Sequence, residues 1–597
     1  MIKIIFVLLI TLFIMGCSYI PFLNKDRAKN GDDDQIIEEP TVIVDVVGVN
    51  DDVADNIRAH VGISKNRCST PINLLNRRNK KTLLEASSAM QAYGFYEAKI
   101  SINYSETPEC PKAEIKVEPE RQMPVSKVEI VIEGAAGSDP EFQKLIRDVA
   151  IKEGQPLNQG EYSDTKTTIE SVAAELGYLD GRFTESRLTV DMEKYQANVF
   201  LQYSSGDRYK IGKINIQQEP EFLNEALIRR IIEAPEGSDY SANQIVDIQN
   251  RLLESSYFKT VEARPRLSDT EDQSIPVDAI VHPNDRHHFQ ASMGFATDEG
   301  LRSKLGYTNR WWNTRGHRLG AETKLSQSEL GVSANYQVPR RHPSNEWLQF
   351  STGFRQQSFD TYDTLSADIT VNESKRRFWG IMENHFVSLS RDDFEVGNEK
   401  GIARFLIPGV RWSRRLVDDE VFTTHGLDLN LEVRGATDTL ISDTSFLRTS
   451  IHAHYLRALP FGFRSFIRGD LGGIWVDDFR ALPPSERFFA GGDNSIRGYD
   501  FQELGPVNTT GNVIGGAYLG VISFELEKYL TDKWGVAVFV DSGNAFGGPG
   551  SDTGLKTGVG LGLRWRSPVG SVRVDFAHPL DNDDTLIKLH LRIGPDL

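Results

Sequence analysis

Apolar and polar residues alternate with a period of two through the C-terminal half of the chain. The clearest case is Ile587–Ile593, where apolar residues alternate with Lys588, His590 and Arg592. Segments of this kind recur about every 19 residues from about His287 onwards, enough for roughly ten strand residues and a turn. The pattern predicts an all-β transmembrane barrel of about sixteen strands over residues 285–597.

The same alternation assigns side chains to the two faces of the predicted barrel. A Lys or Arg facing lipid at the bilayer midplane costs roughly 2 to 4 kcal/mol, so the charged set is expected to face the lumen. The valines of Val536–Val540 then face lipid and turn Asp541 inward, and the apolar residues of Ile522–Leu526 turn Glu525 and Glu527 inward. An even number of strands also returns the last strand to the side where the N-terminal domains begin.

Residues 41–284 show a helical period instead. Three units of roughly 80 residues each follow the order strand, short helix, longer helix, strand, strand. Each longer helix presents an apolar i, i+3, i+7 stripe and ends at a small residue before an aromatic one, as in Gly94-Phe95-Tyr96. These units are predicted to be α+β domains, with boundaries at 41–119, 120–206 and 207–284.

The N-terminus carries an export signal. The apolar stretch Ile4–Met15 is too short to span a membrane as a helix and predicts a signal peptide over residues 1–17. Gly16-Cys17 resembles a lipoprotein cleavage box, which leaves two outcomes open, lipidation of Cys17 and ordinary cleavage nearby. Residues 18–40 are polar and charged and are predicted to be a flexible linker.

Cysteine use and charge narrow the chemistry further. Apart from Cys17 the chain has Cys68 and Cys110, which are expected to pair in an oxidising compartment, the alternative being two free thiols. Such a disulfide would have a structural role and would stabilise the folded state by roughly 3 to 4 kcal/mol in the chain-entropy model. A net charge of −17 argues against nucleic acid as a partner, because phosphate binding needs a basic face.

Motifs for catalysis or cofactor binding are missing from the sequence. It contains no Gly-x-Ser-x-Gly or His-Glu-x-x-His constellation. The glycines of Gly558–Gly562 alternate within a predicted strand and no helix follows, so they do not form a nucleotide loop. His452 and His454 share a strand face but lack a third metal ligand. We therefore expect a protein without enzymatic activity, cofactor or metal.

The loop predicted over residues 476–513, between the eleventh and twelfth strands, is the most distinctive segment. Strand parity puts it on the outer face, and it is longer than a turn requires. Its centre, Phe488–Asp500, combines paired aromatics, glycines and Arg497, which favours an ordered loop folded back into the lumen. An arginine there needs carboxylates, because an unpaired charge away from bulk water is costly. Inward-facing Asp541, Glu525 and Glu527 are the candidates.

This loop, with Arg497-Gly498-Tyr499, resembles the lumen loop of outer-membrane assembly barrels. Together with Val538–Asn544, Thr557–Pro568 and Ile593–Leu597, it closely resembles the TamA family, the outer-membrane component of the translocation and assembly module. The three α+β units resemble POTRA domains, so the resemblance extends over essentially the whole mature chain. It implies that Arg497 pairs with Asp541 and Glu525, with Glu527 as a further carboxylate. A lipid anchor at Cys17 departs from the family pattern.

The resemblance also implies a function and partners. It implies a factor of the cell outer membrane whose periplasmic POTRA domains capture β-rich clients, such as autotransporters, and whose barrel inserts or translocates them through a lateral gate. An inner-membrane-anchored TamB-like partner and contact with outer-membrane lipid are implied as well. Gly594 and Pro595 weaken strand pairing, so the seam between the first strand, about Phe289–Thr297, and the last strand is expected to be poorly closed.

Two other functions fit a barrel of this size. A two-partner secretion pore would pass one dedicated substrate through its lumen, but its usual two POTRA units argue against it. A passive porin-like channel needs neither three client-binding repeats nor a plugging loop. The sequence therefore favours the assembly factor over both.

Overall fold

The structure, a computed structural model, describes residues 40–594 except 109, 235, 420–421, 548–553, 568–569 and 583–584. The predicted signal peptide, Cys17 and most of the predicted linker lie outside the described residues. The described part contains three three-stranded sheets followed by a closed barrel of sixteen strands. The predicted fold class is therefore confirmed.

The first unit contains β1 (Ile43–Val47), α1 (Asp51–His60), α2 (Ile72–Arg77), α3 (Asn79–Gln91), β2 (Lys99–Ser105) and β3 (Lys112–Glu118). Its sheet order is β1-β3-β2, with β1 parallel to β3. The side chain of Asn50 accepts a hydrogen bond from the Val53 backbone N–H at 3.1 Å and so caps the start of α1. Cys68 and Cys110 form a disulfide, with Cα atoms 4.9 Å apart.

The second and third units repeat this plan. The second has β4 (Val125–Glu133), α4 (Pro140–Asp148), α5 (Gln159–Leu176), β5 (Arg182–Asp191) and β6 (Gln196–Ser204), in sheet order β4-β6-β5. The third has β7 (Lys210–Gln218), α6 (Glu225–Ile232), α7 (Ala242–Glu254), β8 (Phe258–Pro265) and β9 (Ser274–Pro283), in order β7-β9-β8.

The predicted apolar stripes form the cores of these units. In the third unit, Ile245, Ile248 and Leu252 of α7 are buried together with Tyr257 and Phe258. In each sheet the last strand of the unit lies at the centre. The other two strands therefore form the edges: β1 and β2, β4 and β5, and β7 and β8.

The barrel strands are all antiparallel to their neighbours. They are β10 (His287–Ala296), β11 (Gly300–Asn309), β12 (Arg318–Leu325), β13 (Glu329–Pro339), β14 (Glu346–Ser358), β15 (Tyr362–Arg376), β16 (Met382–Val396), β17 (Glu399–Val417), β18 (His425–Ala436), β19 (Phe446–Leu459), β20 (Phe463–Val476), β21 (Tyr518–Tyr529), β22 (Trp534–Phe546), β23 (Lys556–Ser567), β24 (Gly570–Pro579) and β25 (Lys588–Gly594).

Strand parity divides the barrel side chains as the sequence predicts. On β22, the side chains of Val536, Val538 and Val540 are exposed on the outer surface, whereas Asp541 is fully buried. On β21, Ile522 and Phe524 are exposed while Glu525 and Glu527 are buried. Apolar residues thus cover the outside and charged residues fill the inside. No helix in the described part of the chain is long and apolar enough to cross a membrane.

The seam, which is the junction of β10 and β25, is the weakest joint of the barrel. Among the described residues, the strand pairs across it are Phe295 with Ile593 and Ala296 with Arg592, whereas β10 pairs with β11 along its whole length. Within the described residues, the seam-side edge of His287–Met293 has no strand partner. Gly594 ends β25 there, and Pro595 lies outside the described residues.

Candidate functional site in the barrel lumen

The loop that the sequence singled out folds into the barrel. It comprises residues 477–517 between β20 and β21, four residues longer at its C-terminal end than predicted, and is called the lumen loop below. Because β20 is the eleventh barrel strand, the loop starts at the end of the barrel opposite the third α+β unit. Phe488, Ile496 and Tyr499 are buried within it, and bridges such as Phe488 to Gly516 close it on itself. The lumen loop is therefore an ordered plug.

Two glycines let the loop backbone approach the barrel wall. Gly498 has φ +102°, a conformation that residues with a side chain rarely adopt, and its N–H donates to His590 Nε2 at 2.9 Å. On β23, a Cβ at Gly558 would lie within 2 Å of the Arg497 carbonyl oxygen. Gly558 therefore makes room for the loop.

Arg497 reaches the carboxylates expected of it and one more. Its Nε and Nη2 donate to the two carboxylate oxygens of Asp541 at 2.7 and 3.0 Å, and Nη1 donates to Glu525 at 2.6 Å. Nη1 also donates to Asp575 of β24 at 3.0 Å, a partner that the sequence analysis did not identify. The guanidinium carbon lies 3.5 Å from the ring centre of Phe539. The planar guanidinium fork of Arg497 therefore donates to three carboxylates at once, which few other side chains can do.

The ion pairs continue down the lumen beyond Arg497. Arg564 of β23 binds Glu525 at 2.5 Å, Asp575 at 2.6 Å and Glu527 at 2.6 Å. Glu527 does not contact Arg497, contrary to one of the expectations above; its other partner is Arg464 of β20, at 2.5 Å. The charges therefore alternate in sign, which offsets the cost of burying each one.

This ladder ends at the opposite side of the barrel from where the lumen loop enters. Arg464 Nη1 donates to the carbonyl oxygen of Thr423 at 2.6 Å, in the turn between β17 and β18. Its guanidinium also lies 4.1 Å from the ring centre of Phe422 in that turn. The ion-pair ladder thus connects the lumen loop at one end of the barrel with a folded-in turn at the other.

A second group ties the lumen loop to both sides of the seam. Asp493 of the loop binds His590 of β25 at 2.6 Å and accepts a hydrogen bond from the Thr297 N–H, just after β10, at 2.9 Å. Its own N–H donates to Asp298 at 2.7 Å. Asp298, Asp493 and His590 also form the one candidate metal group among the described residues. Both ring nitrogens of His590 are already hydrogen-bonded, so we assign the group as a polar clasp.

The clasp predicts a pH-dependent stability. Burial and then the charge of Asp493 raise the pKa of Asp298, which lies in the turn after β10, from 3.8 to about 7. Between these values the folded protein holds a proton that the unfolded chain releases, so stability falls as the pH rises from about 4 to 7 and stays reduced above it. Asp298→Asn is expected to match the unsubstituted protein in thermal unfolding at pH 3, where Asp298 is protonated in both states, and to be more stable at pH 8 by on the order of 2 kcal/mol, allowing for partial exposure.

Glu299→Gln, in the same turn, is the matched control. Glu299 is half-exposed and its carboxylate lies 3.6 Å from Arg302, so its loss should not reproduce the gain at pH 8. An equal gain in both variants, or a gain for Asp298→Asn that is as large at pH 3 as at pH 8, would contradict the assignment of the titrating group to Asp298.

Together, the repeats, the closed barrel and its charged lumen loop define an outer-membrane β-barrel protein with periplasmic POTRA domains. Residues 284–595 match the Omp85 superfamily domain, and residues 43–119 match the POTRA domain TamA domain 1. The chain belongs to the Omp85 superfamily. The barrel accordingly lies in the outer membrane and the POTRA domains lie in the periplasm.

Similar proteins include two outer membrane protein assembly factors. The chain is 21% identical to BamA of Nitratidesulfovibrio vulgaris over 537 residues, 84% of this chain and 66% of that protein. It is 23% identical to BamA of Neorickettsia risticii over 493 residues, 74% of this chain and 62% of that protein. The chain therefore spans slightly less than two thirds of the length of these relatives.

The solved structures support the fold. The crystal structure of BamA from Haemophilus ducreyi lacking POTRA domains 1–3 superposes with a TM-score of 0.64 at 15% identity, covering 79% of this chain and 99% of that chain. At this identity the similarity concerns the fold. The roles of Arg497, Gly498, Tyr499, Asp541 and Glu525 in holding the lumen loop remain predictions.

Proposed function

We propose that the protein is a TamA-type outer-membrane translocation and assembly factor, which captures β-rich clients such as autotransporters on its POTRA domains and inserts or translocates them through a lateral gate at the seam. The observation that carries this proposal is that, within the part of the chain that the structure describes, β10 and β25 pair over two residues. The other joints of the barrel pair over seven residues or more.

The seam offers a template for a client strand. Inside a bilayer no water can satisfy unpaired backbone N–H and C=O groups, so an open strand edge there is costly unless another strand pairs with it. The unpaired edge of His287–Met293 could add an extended client segment without reading its sequence. Phe289 and Met293, each about three-quarters exposed, line its lipid-facing side.

The POTRA sheets offer the capture step. Each has two edge strands, and β5 is the longest among the second strands of the three repeats, at ten residues. An edge of this length can pair with an unfolded β-rich segment through main-chain hydrogen bonds. Three such sheets in sequence are consistent with stepwise handling of a client before it reaches the barrel.

The third POTRA domain is fixed to the barrel next to the gate strands. Tyr257 Oη donates to the carbonyl oxygen of Gly316, in the turn between β11 and β12, at 2.5 Å. The guanidinium of Arg318 lies 4.6 Å from the ring centre of Tyr257 and 4.4 Å from that of Trp347. This domain is therefore held two strands away from the seam, a suitable place to deliver a client.

The TamA-type identity within the superfamily rests on the first repeat. Its match to TamA domain 1, and three POTRA domains in the described part of the chain, support TamA over a two-partner secretion pore. A TamB-like partner anchored in the inner membrane belongs to the same proposal. The plugging lumen loop argues against a passive channel.

Deleting the gene tests the proposed function. Quantitative proteomics of outer-membrane fractions should show autotransporter-like and other barrel proteins reduced several-fold, with recovery when the unsubstituted gene is restored. If every barrel protein stayed at its normal level while the lipid composition changed, the function would lie in lipid transport and the assembly role would be wrong.

A further inference from the structure

Two arginines stand directly opposite each other on the outer face of the barrel. Arg391 of β16 and Arg404 of β17 are register partners, and the next partners on the same face are Leu389 and Leu406. Side chains two residues apart share one face of a strand, and Leu389 is exposed on the outer surface, so both arginines point outward as well. Both arginines are themselves exposed. We call them the arginine pair.

The arginine pair lies near the outer end of the barrel, at the edge of its apolar band. β16 is the seventh barrel strand and β20 the eleventh, so the turn after β16 is on the side where the lumen loop starts. Outward residues of the two strands are mostly polar from the arginine pair towards this turn and apolar in the other direction: Asp393, Glu395, Lys400 and Ile402 on the first side, and Val387, Leu389, Leu406 and Pro408 on the second. The pair therefore marks the level where lipid tails meet headgroups.

Neither guanidinium group has a partner within the part of the chain that the structure describes. No hydrogen bond, ion pair or ring contact there involves either side chain. Asp443 accepts a hydrogen bond from the Arg404 backbone N–H at 2.6 Å, and Glu395 pairs with Lys400 at 2.9 Å. Like charges at directly opposed positions of an antiparallel pair destabilise the sheet. An anion between the two guanidinium groups would turn this repulsion into a bridge.

The attraction for an anion is local to the arginine pair. The acidic residues of the same outer face, Asp363, Asp393 and Glu395, all lie in rows nearer the turn. The surface as a whole is therefore not positive, and an anion would be held by the pair itself, on its side towards the apolar band.

An apolar groove of about 520 Å³ lies on that side. It is lined by residues of β16, β17, β18, β19 and the loop between the last two, among them Val387, Leu406, Val433 and Leu440. Leu406 is the outward residue next to Arg404 along β17, so the groove begins one position below the arginine pair. The side chain of Leu440 is 68% exposed at its rim.

The groove lies where the barrel wall changes partner, at Pro408. In the described part of the chain, β18 pairs with residues 409–417 of β17, although β17 itself begins at Glu399. Proline has no N–H to continue the ladder. Nearer the outer end, the loop between β18 and β19 takes over: the Leu406 N–H donates to Ser442 Oγ at 3.0 Å, and the Asp443 N–H donates to the Arg404 carbonyl oxygen at 3.0 Å. A loop held at these points covers the outer face less completely than a strand.

We propose that the arginine pair and the groove bind a membrane lipid with a phosphomonoester headgroup, its phosphate between Arg391 and Arg404 and an acyl chain along Leu406 and Val433. A phosphate group carries up to about two negative charges, and its oxygens can accept hydrogen bonds from two guanidinium forks at once. The occupant is a lipid rather than a free ion, because the pair adjoins an apolar groove on the face that the barrel turns to the bilayer.

The lipid site lies on the far side of the barrel from the seam. β17 and β18 are the eighth and ninth of the sixteen strands, whereas the seam joins the first and the last. A lipid there bridges β16 and β17 through its phosphate and fills the space where β17 and β18 separate. It would stabilise the wall opposite the seam, whether or not the barrel inserts clients.

The test uses the full chain in neutral detergent micelles at constant ionic strength. Binding of dioleoyl phosphatidic acid is followed by native mass spectrometry, with dioleoylglycerol as its phosphate-free match and inorganic phosphate as a competitor without acyl chains. The test variant is Arg391→Gln with Arg404→Gln. The control is Arg414→Gln with Arg457→Gln, which removes two outward arginines near the periplasmic end of the barrel.

We expect phosphatidic acid to bind the parent and the control equally, and to bind the test variant about tenfold more weakly or less. Dioleoylglycerol should bind the parent as weakly as phosphatidic acid binds the test variant, and inorganic phosphate should not displace the lipid. Thermal unfolding without lipid should show the test variant to be no less stable than the parent, because it loses a repulsion. Weaker binding then reports the site and not a failure to fold.

A second variant tests the groove separately. Leu440→Asn changes an exposed side chain at the rim, so it should leave the unfolding temperature unchanged and weaken binding of phosphatidic acid by about threefold or more. Equal binding in the parent and the arginine variant, no binding in the parent, or an equal loss in the control overturns the proposal. Displacement by inorganic phosphate, or unchanged binding in Leu440→Asn, would overturn the assignment of a lipid.

Discussion

Replacing Arg497 by alanine is expected to release the lumen loop and to destabilise the barrel by about 3 to 5 kcal/mol. The fully buried Asp541 would lose its bidentate partner, and Glu525 and Asp575 would each lose one of two arginines. Heat-modifiability, in which samples heated to increasing temperatures are compared by gel mobility, would report the loss as a lower unfolding temperature. In the loop itself, Arg487 is buried and donates to the Ile514 carbonyl oxygen at 2.9 Å, so new trypsin cleavage after Arg487 would report release.

Arg480→Ala is the matched control for this prediction. Arg480 lies in the same loop, its side chain is 83% exposed, and its nearest carboxylate, Glu399, is 3.7 Å away. Its loss should leave both the unfolding temperature and the protection of Arg487 unchanged. Arg497→Lys should behave almost like Arg497→Ala, because one ammonium group cannot reproduce the planar fork shared by three carboxylates. Full stability of Arg497→Ala would show that the loop is held by its apolar core alone.

Much of this site could be predicted from strand parity. Alternation on β21 and β22 correctly turns Glu525 and Asp541 to the lumen, because one misplaced residue would put a charge in lipid. Asp575 also follows an apolar residue in the sequence, and so faces inward, but parity does not say which inward residues share a level. That depends on the register between strands, which the sequence pattern does not fix. Arg564 and Arg464 were missed for the same reason.

The clasp at the seam was harder to predict from the sequence than the Arg497 site. The glycine at position 594 indicates a weak last strand, and among the described residues β25 pairs with β10 over two residues. Nothing local, however, indicates that Asp493 would reach both Thr297 and His590, which are almost 300 residues apart in the chain. This contact exists only because the lumen loop folds back, and the loop's path is set by Arg497 and the glycines that admit its backbone.

The lumen loop therefore serves two joints with opposite properties. Arg497 sits on β21 to β24, where strand pairing is long and the ion pairs are fully buried. Asp493 sits on the seam, where pairing is short and where burial, with the charge of Asp493, raises the pKa of Asp298 to about 7. An element anchored firmly on one side and lightly on the other can remain in the lumen while the seam opens. Opening need not break the ladder that holds the loop.

Closing the seam covalently is expected to abolish client insertion. Phe295 and Ile593 are register partners across the seam, so Phe295→Cys with Ile593→Cys places two thiols where a disulfide can form. In proteoliposomes, the oxidised variant should insert an unfolded autotransporter barrel domain at less than about a tenth of the parent rate, because the edge of β10 could no longer separate from β25 to pair with a client strand. Reduction should restore insertion.

The control for this experiment locks a joint that has no reason to open. Phe289 and Tyr307 are partners between β10 and β11, which pair along the whole length of β10, so Phe289→Cys with Tyr307→Cys forms the same bond one strand away. Oxidation of this pair should leave insertion unchanged, and reduction acts equally on the native Cys68–Cys110 disulfide in both variants. Insertion that continued with the seam locked would mean that clients do not enter through β10 and β25. The short pairing would then be only a tolerated defect of the barrel, since a lateral gate must open at the strands that the cross-link joins.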